Sequence, residues 1–157
     1  MLAPYASAEG RLLCQPPAIV HDGLMTTQRC TFQGSSLDAA YRAFYRLKAA
    51  DWKEIGMPAR LPANGYRHNE PLPEVNCGSE VGKDGAEGTP HIAKPNYETK
   101  VRRSAQSATV RSEYIDGCTD LYRHDIRFKR RGNIIQIDYV IHSAEGSARL
   151  EQHVQAA

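Results

Sequence analysis

The sequence predicts an α+β domain, in which one main helix packs on a twisted antiparallel β-sheet, with an N-terminal hairpin and a long central loop. Three observations predict this class. One amphipathic segment has helical spacing, three alternating strands fill the last third of the chain, and a stretch rich in proline and glycine separates them. With 157 residues, the chain has the length of one domain with its own hydrophobic core.

The N-terminal part combines a cleavage-like motif with short strands. Ala6-Ser7-Ala8 has the A-x-A form of a signal-peptide cleavage site. We therefore assign residues 1–8 to the end of a signal peptide and residues 9–157 to a single domain, and we expect a secreted protein. Residues 9–33 hold strand and turn material, including the apolar run Ala18–Val20.

The four cysteines also favour secretion, because an even number in a small extracellular domain usually forms disulfides. Two disulfides are expected, and the sequence leaves all three pairings open. No two cysteines have C-x-x-C spacing, so we expect no zinc site. The cysteines are Cys14, Cys30, Cys77 and Cys118.

The one clear helix is expected to follow the first third of the chain. Ser35 or Ser36 suits its N-cap, and Asp38 lies in the first turn, where a negative charge is favourable. Its end is expected near Gly56, which suits a C-cap, and before Pro58. Residues at helical spacing form a stripe that we expect to be buried: Leu37, Ala40, Tyr41, Phe44 and Leu47.

The segment from Pro58 to about Ser107 is interpreted as a long loop. It is rich in proline and glycine, its acidic and basic charges nearly cancel, and it shows no clear periodicity. A stretch of this length without periodicity is either functional or disordered. Cys77 indicates that its first part is tied down.

Three strands are expected next, at residues 108–115, 121–129 and 133–142, with a tight turn around Gly132. A two-residue turn pairs odd positions of one strand with even positions of the next. Ile126 and Phe128 therefore share a face with Ile135 and Ile137, whereas Arg127 shares the other face with Gln136, Asp138 and His142. We expect the aliphatic face to pack on the helix and the polar face to meet a ligand.

The overall charge is mildly basic, with a formal net charge of +2 and a pI near 8.4. This charge permits an anionic partner without requiring one. No apolar run approaches the ~18 residues that span a membrane, so we expect no membrane association.

Several short motifs occur in an order that resembles a known family. They are Cys30 with the polar loop and helix start that follow it, Tyr66-Arg67-His68, Ser112-Glu113-Tyr114-Ile115, Arg127-Phe128 and Ile141-His142-Ser143. In this order, over residues 28–153, they resemble the fungal guanyl-specific ribonucleases, whose superfamily also holds barnase-like enzymes and the sarcin-type ribotoxins. The resemblance implies RNA cleavage in which the neighbouring 2′-hydroxyl is the nucleophile.

The resemblance also implies roles for individual residues. Glu113 would be the general base, assisted by His68, and Arg127 would hold the phosphate as charge builds. His142 would be the general acid, and Tyr66 would contact a phosphate oxygen. Further RNA contacts would come from Asn69, Glu70, Arg123, Lys129 and Arg130. We expect RNA as the partner, with a host protein or receptor as a second possibility, and a monomer without metal or cofactor.

The chain departs from the family pattern in ways that leave alternatives open. Arg67 replaces the proline of the family's Tyr-Pro-His motif, and the loop that reads guanine is shortened to Asn69-Glu70. The family's closing cysteine falls on His153, so Cys30 pairs with one of the other three cysteines or stays free. One alternative is a catalytically inactive, ribonuclease-like effector that binds host RNA or protein. The other is a secreted or periplasmic inhibitor or immunity protein.

Overall fold

The computed structural model describes residues 5–7, 10–81, 87–118 and 121–144. These residues form an α+β fold in which one helix packs on an antiparallel sheet, which confirms the predicted fold class. In chain order the elements are β1 (Tyr5–Ser7), β2 (Gly10–Cys14), β3 (Ala18–Val20), β4 (Met25–Gln33), α1 (Leu37–Glu54), β5 (Arg67–Pro71), β6 (Val75–Val81), β7 (Glu87–Ala93), β8 (Asn96–Arg103), β9 (Ser107–Ile115), β10 (Leu121–Arg131) and β11 (Ile134–Ala144).

The main sheet has nine strands in the order β1-β2-β4-β11-β10-β9-β8-β5, with β3 also paired to β4. Neighbouring strands are antiparallel, and β6 and β7 form a separate two-stranded sheet. The last three strands match the predicted ones, and the two-residue turn Gly132-Asn133 sets the predicted register, with Phe128 opposite Ile137 and Arg127 opposite Asp138.

Helix α1 begins and ends where its sequence predicts. The Ala39 backbone N–H donates to Oγ of Ser36, the N-cap, at 3.1 Å. The chain leaves the helix through Gly56, whose φ of 67° lies in the left-handed region that glycine adopts readily. The prediction for Leu47 is wrong, because this residue is 44% exposed, and Trp52, five residues later, is fully buried instead.

An aromatic cluster joins the helix to the sheet. Tyr41 and Phe44 pack on Phe128 with ring centroids 5.8 and 6.4 Å apart, and Trp52 packs on Tyr139 at 5.8 Å. All five side chains are at most 4% exposed. Aromatic side chains bury large apolar areas, so this cluster is a main source of stability and confirms that the aliphatic sheet face packs on the helix.

The segment expected to be a long loop differs from that prediction, since four strands occupy most of it. In β8, Thr99 and Val101 are buried while Lys100 between them is exposed, which is the alternation of a strand with one face on the core. β8 pairs with β9 along its length, and β5 pairs with β8. The central segment therefore widens the main sheet.

Two disulfides complete the fold, and they resolve the pairing that the sequence left open. Cys14 and Cys30 are cross-strand partners on β2 and β4, and Cys77 on β6 is bonded to Cys118 after β9. Disulfides of this kind are compatible with a secreted protein. Strand β1, within residues 1–8 that the sequence assigned to a signal peptide, pairs with β2. Residues 145–157, including His153, lie outside the described part.

None of the described helical structure is both long and apolar enough to cross a membrane.

Candidate functional site

The sheet face opposite α1, here called the open face, carries most of the charged side chains of the sheet. On β5 and β8–β11 it holds eight basic and four acidic side chains. The basic ones are Arg67, Lys100, Arg102, Arg111, Arg123, Arg127, Lys129 and Arg131, and the acidic ones are Glu98, Glu113, Asp125 and Asp138. This excess of positive charge makes the open face a candidate surface for a polyanion.

An acid, a guanidinium and an imidazole lie side by side on this face. Arg123 on β10 is the cross-strand partner of both Glu113 on β9 and His142 on β11. Neighbouring strands are about 4.8 Å apart, so Glu113 and His142 flank Arg123 with their Cα atoms roughly 10 Å from each other. The same row continues on the next two strands with Glu98 and Asn69.

Asp125, two residues after Arg123 on the same face of β10, contacts two members of this row. Its carboxylate accepts hydrogen bonds from Nε of Arg111 at 2.7 Å and from Nε of Arg123 at 2.9 Å. Its Oδ2 atom also lies 3.3 Å from Nε2 of His142. Burial raises the pKa of Asp125, but the hydrogen bonds from His142 and Arg111, together with the charges of both arginines, lower it to about 2. Asp125 is therefore ionised across the physiological pH range.

His142 is 8% exposed and is held at one ring nitrogen. Nε2 lies within hydrogen-bond distance of Arg123 (3.2 Å) as well as of Asp125, so it donates to the carboxylate when it carries the proton and accepts from the guanidinium when it does not. The other nitrogen, Nδ1, is buried and has no hydrogen-bond partner among the described residues. An imidazole with one nitrogen anchored by a carboxylate has the arrangement of a general acid or base.

Among the cavities that open on this face, three are lined by residues of the row. One of about 420 Å³ lies between Glu113 and the basic side chains of Lys100, Arg102 and Arg111. A second, of about 330 Å³, is lined by His142, Arg127 and Asp125, and it shares Thr109 and Arg111 with the first. The third, of about 480 Å³, lies at the end of the row and is lined by Asn69, Asn96 and Glu98 among others. Oδ1 of Asn96 is buried there without a partner among the described residues.

The structure separates the predicted site residues by face. Asn69, Glu113, Arg123, Arg127, Lys129 and His142 all lie on the open face. Arg127 is four residues from Arg123 along β10, which corresponds to about 13 Å, and its cross-strand partners are Thr109 and Asp138. Arg123, and not Arg127, therefore lies between Glu113 and His142.

The remaining predicted residues lie on the helix side. His68 is paired with the buried Thr99, its Nε2 is 3.2 Å from Glu70, and its ring stacks on Tyr66, which packs against the core. Glu70 contacts Gly56 at the end of α1. Arg130 donates to the backbone oxygen of Ser35 before the helix. The sheet separates Tyr66, His68, Glu70 and Arg130 from Glu113 and His142, so His68 cannot assist Glu113 in this structure.

Asp125, Arg111 and Glu98 are candidate site residues that the sequence reasoning missed. The signal for Asp125 and Arg111 was present, because they alternate in phase with Arg123 and Glu113 on strands that were predicted. Glu98 required the recognition of β8, whose buried Thr99 and Val101 alternate with charged residues. Its strand was missed because the surrounding prolines and glycines indicated a loop.

The fold and the site define a disulfide-bonded α+β domain with a basic open sheet face. No protein-family model matches the chain, and a search of curated proteins finds no match. Within the described ranges, no group of three or more histidine, cysteine, aspartate or glutamate side chains is arranged to hold a metal ion.

Proposed function

We propose that this protein is a secreted, ribonuclease-like protein that binds RNA on the open face and cleaves it by attack of the 2′-hydroxyl. The observation that carries the proposal is the row formed by Glu113, Arg123 and His142 on three consecutive strands. These groups supply a base, a phosphate-binding cation and an acid without a metal or cofactor. The two disulfides are compatible with secretion. The proposed fungal origin rests on the resemblance to the fungal guanyl-specific ribonucleases alone.

In the proposed reaction, Glu113 removes the proton of the 2′-hydroxyl, whose oxygen attacks the adjacent phosphorus. The guanidinium of Arg123 stabilises the negative charge that builds on the phosphoryl oxygens. His142 donates its proton to the 5′-oxygen as the P–O5′ bond breaks, leaving a 2′,3′-cyclic phosphate and a free 5′-hydroxyl. In the free protein Nε2 of His142 lies beside Asp125 and Arg123, so the bound RNA must displace these contacts for Nε2 to deliver its proton.

The cavity at the end of the row can hold a nucleobase of the bound RNA. It is lined by Asn69, Asn96 and Glu98, and Glu98 is the cross-strand partner of Glu113. Amide and carboxylate groups can hydrogen-bond the edge of a base in single-stranded RNA. A nucleobase held there would lie next to Glu113, the proposed general base.

A specific observation favours a second candidate, an RNA-binding effector without catalysis. His142 is buried, and its Nε2 is engaged by Asp125 and Arg123, as is the guanidinium of Arg123 by Asp125. If RNA does not displace these contacts, the open face binds RNA without protonating a leaving group. The basic excess on the face suits both candidates.

Cleavage of a fluorescent RNA by the oxidised protein, with a chelator present, tests the proposal. We expect His142→Gln and Glu113→Gln each to lower the rate by ~10²–10⁴-fold, since each removes one partner in proton transfer. The matched control is His91→Gln, because His91 is exposed on β7 of the separate two-stranded sheet and should leave the rate unchanged. Circular dichroism of each variant checks folding, because His142 is buried.

Two results would contradict the cleavage proposal. RNA cleavage that persists in both variants would assign the activity to other residues or to a contaminant. Salt-sensitive RNA binding by the wild type without turnover would favour the non-catalytic effector, and the absence of both cleavage and binding would remove RNA as the partner.

A further inference from the structure

The cations of the open face differ in whether a carboxylate neutralises them. Arg67 and Lys100 pair with Glu98 at 2.6 and 3.5 Å, and Arg111 and Arg123 pair with Asp125. The side chains of Lys129, Arg131, Arg102 and Arg127 are exposed, and none of these side chains has a hydrogen bond or ion pair with another described residue. Of the four, only Arg102 and Arg127 share a cross-strand partner. Their guanidinium groups are therefore available to an external anion.

The carboxylate directly opposite Arg127 on the neighbouring strand already accepts hydrogen bonds from other side chains. Asp138 is the cross-strand partner of Arg127, but its Oδ1 accepts from Nε of Arg29 and its Oδ2 from Nε2 of Gln136, both at 2.8 Å. An Arg127 side chain that turned toward Asp138 would compete with both bonds. This arrangement keeps the positive charge of Arg127 uncompensated.

Arg102 and Arg127 lie on either side of Thr109. Thr109 on β9 is the cross-strand partner of both arginines, so the row reads Arg102, Thr109, Arg127 across β8, β9 and β10. Thr109 also lines both the 420 Å³ and the 330 Å³ cavities. Two guanidinium forks beside a hydroxyl, over a concave surface, have the geometry that binds phosphate oxygens.

This row is displaced along the strands from the proposed reaction centre. Thr109 is four residues from Glu113 on β9, which corresponds to about 13 Å. Stacked nucleotides advance about 3.4 Å each, so the two positions are separated by about four nucleotides, and by fewer if the strand is extended. One phosphate cannot reach both.

We propose that Arg102, Thr109 and Arg127 form a second phosphate subsite, which binds a backbone phosphate of the same RNA strand a few nucleotides from the bond at Glu113 and His142. This inference rests on the proposed RNA-binding function and deepens it, because it makes the substrate an oligonucleotide and not a dinucleotide. The RNA strand then runs along β9 through the 420 Å³ cavity, which is lined by both Glu113 and Thr109.

The test compares a six-nucleotide RNA with a dinucleotide, both 2′-O-methylated so that cleavage is blocked, by fluorescence anisotropy at several salt concentrations. We expect Arg102→Gln and Arg127→Gln each to weaken hexanucleotide binding about fivefold at low salt, because each removes one exposed phosphate contact. Each variant should also reduce the slope of log K against log salt by ~0.7. Dinucleotide binding should stay at the wild-type level.

The control variant is Lys53→Gln, which removes one exposed positive charge from α1 on the other side of the sheet. If both arginine variants lose no more hexanucleotide affinity than this control while the wild type binds normally, the subsite is wrong and the proposed function stands. Equal losses for dinucleotide and hexanucleotide would also overturn it. If the wild type binds neither, the RNA-binding function fails together with the subsite. Equal, arginine-dependent binding of polyglutamate would show a general polyanion surface instead.

Discussion

At the scale of single residues, the most distinctive buried group is His124, which lies on the helix side of β10 between two rings. Its Nδ1 is 2.6 Å from the Tyr139 hydroxyl, which also accepts from Nε1 of Trp52 at 3.1 Å. Burial lowers the pKa of His124 to about 4, an effect that the charges of Asp125 and Asp51 oppose only in part. The neutral imidazole is thus part of the core that joins α1 to the sheet.

This group makes stability depend on pH in a defined window. The unfolded chain binds a proton on His124 near pH 6.5, whereas the folded protein resists it until about pH 4, so stability falls as pH decreases through this window. The expected loss is about 3 kcal/mol between pH 7.5 and 4. Asp125, with its lowered pKa of about 2, contributes its own loss only below about pH 4.

Urea unfolding at pH 7.5 and pH 4 measures this loss. His124→Gln should be less stable than the wild type at pH 7.5, because it alters a buried hydrogen bond, but its stability should change less between the two pH values. His91→Gln is the matched control, since His91 is exposed on the separate β6–β7 sheet, lies outside the core that His124 joins and should retain the wild-type dependence. An unchanged pH dependence in His124→Gln would show that other groups cause the loss.

At the scale of elements, the sequence determined the helix and the last hairpin well but not the central strands. The Gly132 turn and the alternation of β10 and β11 predicted which side chains share a face, and Arg127 and His142 were correctly placed on the polar one. The row that joins Arg123 to Glu113 and His142 could not be predicted, because it depends on the register between β9 and β10, which no short turn fixes. A shift of two residues in that register would bring Leu121 or Asp125 opposite Glu113 in place of Arg123.

The placement of Tyr66 and His68 shows the same limit at the sheet edge. Their alternation indicates that they share a face, but which face they share depends on the pairing of β5 with β8. The sequence did not predict β8, because the surrounding segment is rich in proline and glycine. Because Arg67 is opposite Lys100, the motif presents its arginine to the open face and its two rings to the helix side. Local motifs identify residue types here, and only nonlocal pairing assigns them to a site.

The contact between the end of α1 and β5 gives a prediction at this scale. Gly56 has a φ of 67°, and a Cβ added there would lie 2.6 Å from Cβ of Glu70. Gly132 has a similar φ of 63° but faces open space. Both Gly→Ala variants incur the cost of a left-handed residue, ~1–2 kcal/mol, and Gly56→Ala must also displace β5.

Urea denaturation of the two variants separates the two effects. We expect Gly132→Ala to lose about 1 kcal/mol and Gly56→Ala about twice as much or more, since the contact with Glu70 involves a Cβ that cannot rotate away. Equal losses would mean that β5 shifts freely against the helix end, and that the position of this edge strand is not fixed by α1.

At the scale of the whole molecule, two disulfides stabilise different parts of the chain by different means. Cys14–Cys30 spans 16 residues between neighbouring strands of the main sheet, whereas Cys77–Cys118 spans 41 residues and ties the separate β6–β7 sheet to the end of β9. Loop-closure entropy alone predicts about 3 kcal/mol for the first and about 4 kcal/mol for the second. Burial instead favours the Cys14–Cys30 disulfide, because Cys14 and Cys30 are 4% and 1% exposed while Cys118 is exposed.

The two terms can be compared in paired variants measured by thermal and urea unfolding. Replacing the buried pair with Cys14→Ala and Cys30→Ala removes about 3 kcal/mol of loop entropy and about 1 kcal/mol of burial for each sulfur, for a total near 5 kcal/mol. Cys77→Ala with Cys118→Ala should lose about 4 kcal/mol, almost all of it entropic. The buried pair is therefore expected to matter more despite its shorter loop. A larger loss for the Cys77 and Cys118 variant would show that the β6–β7 sheet contributes packing to the main domain beyond its covalent tie.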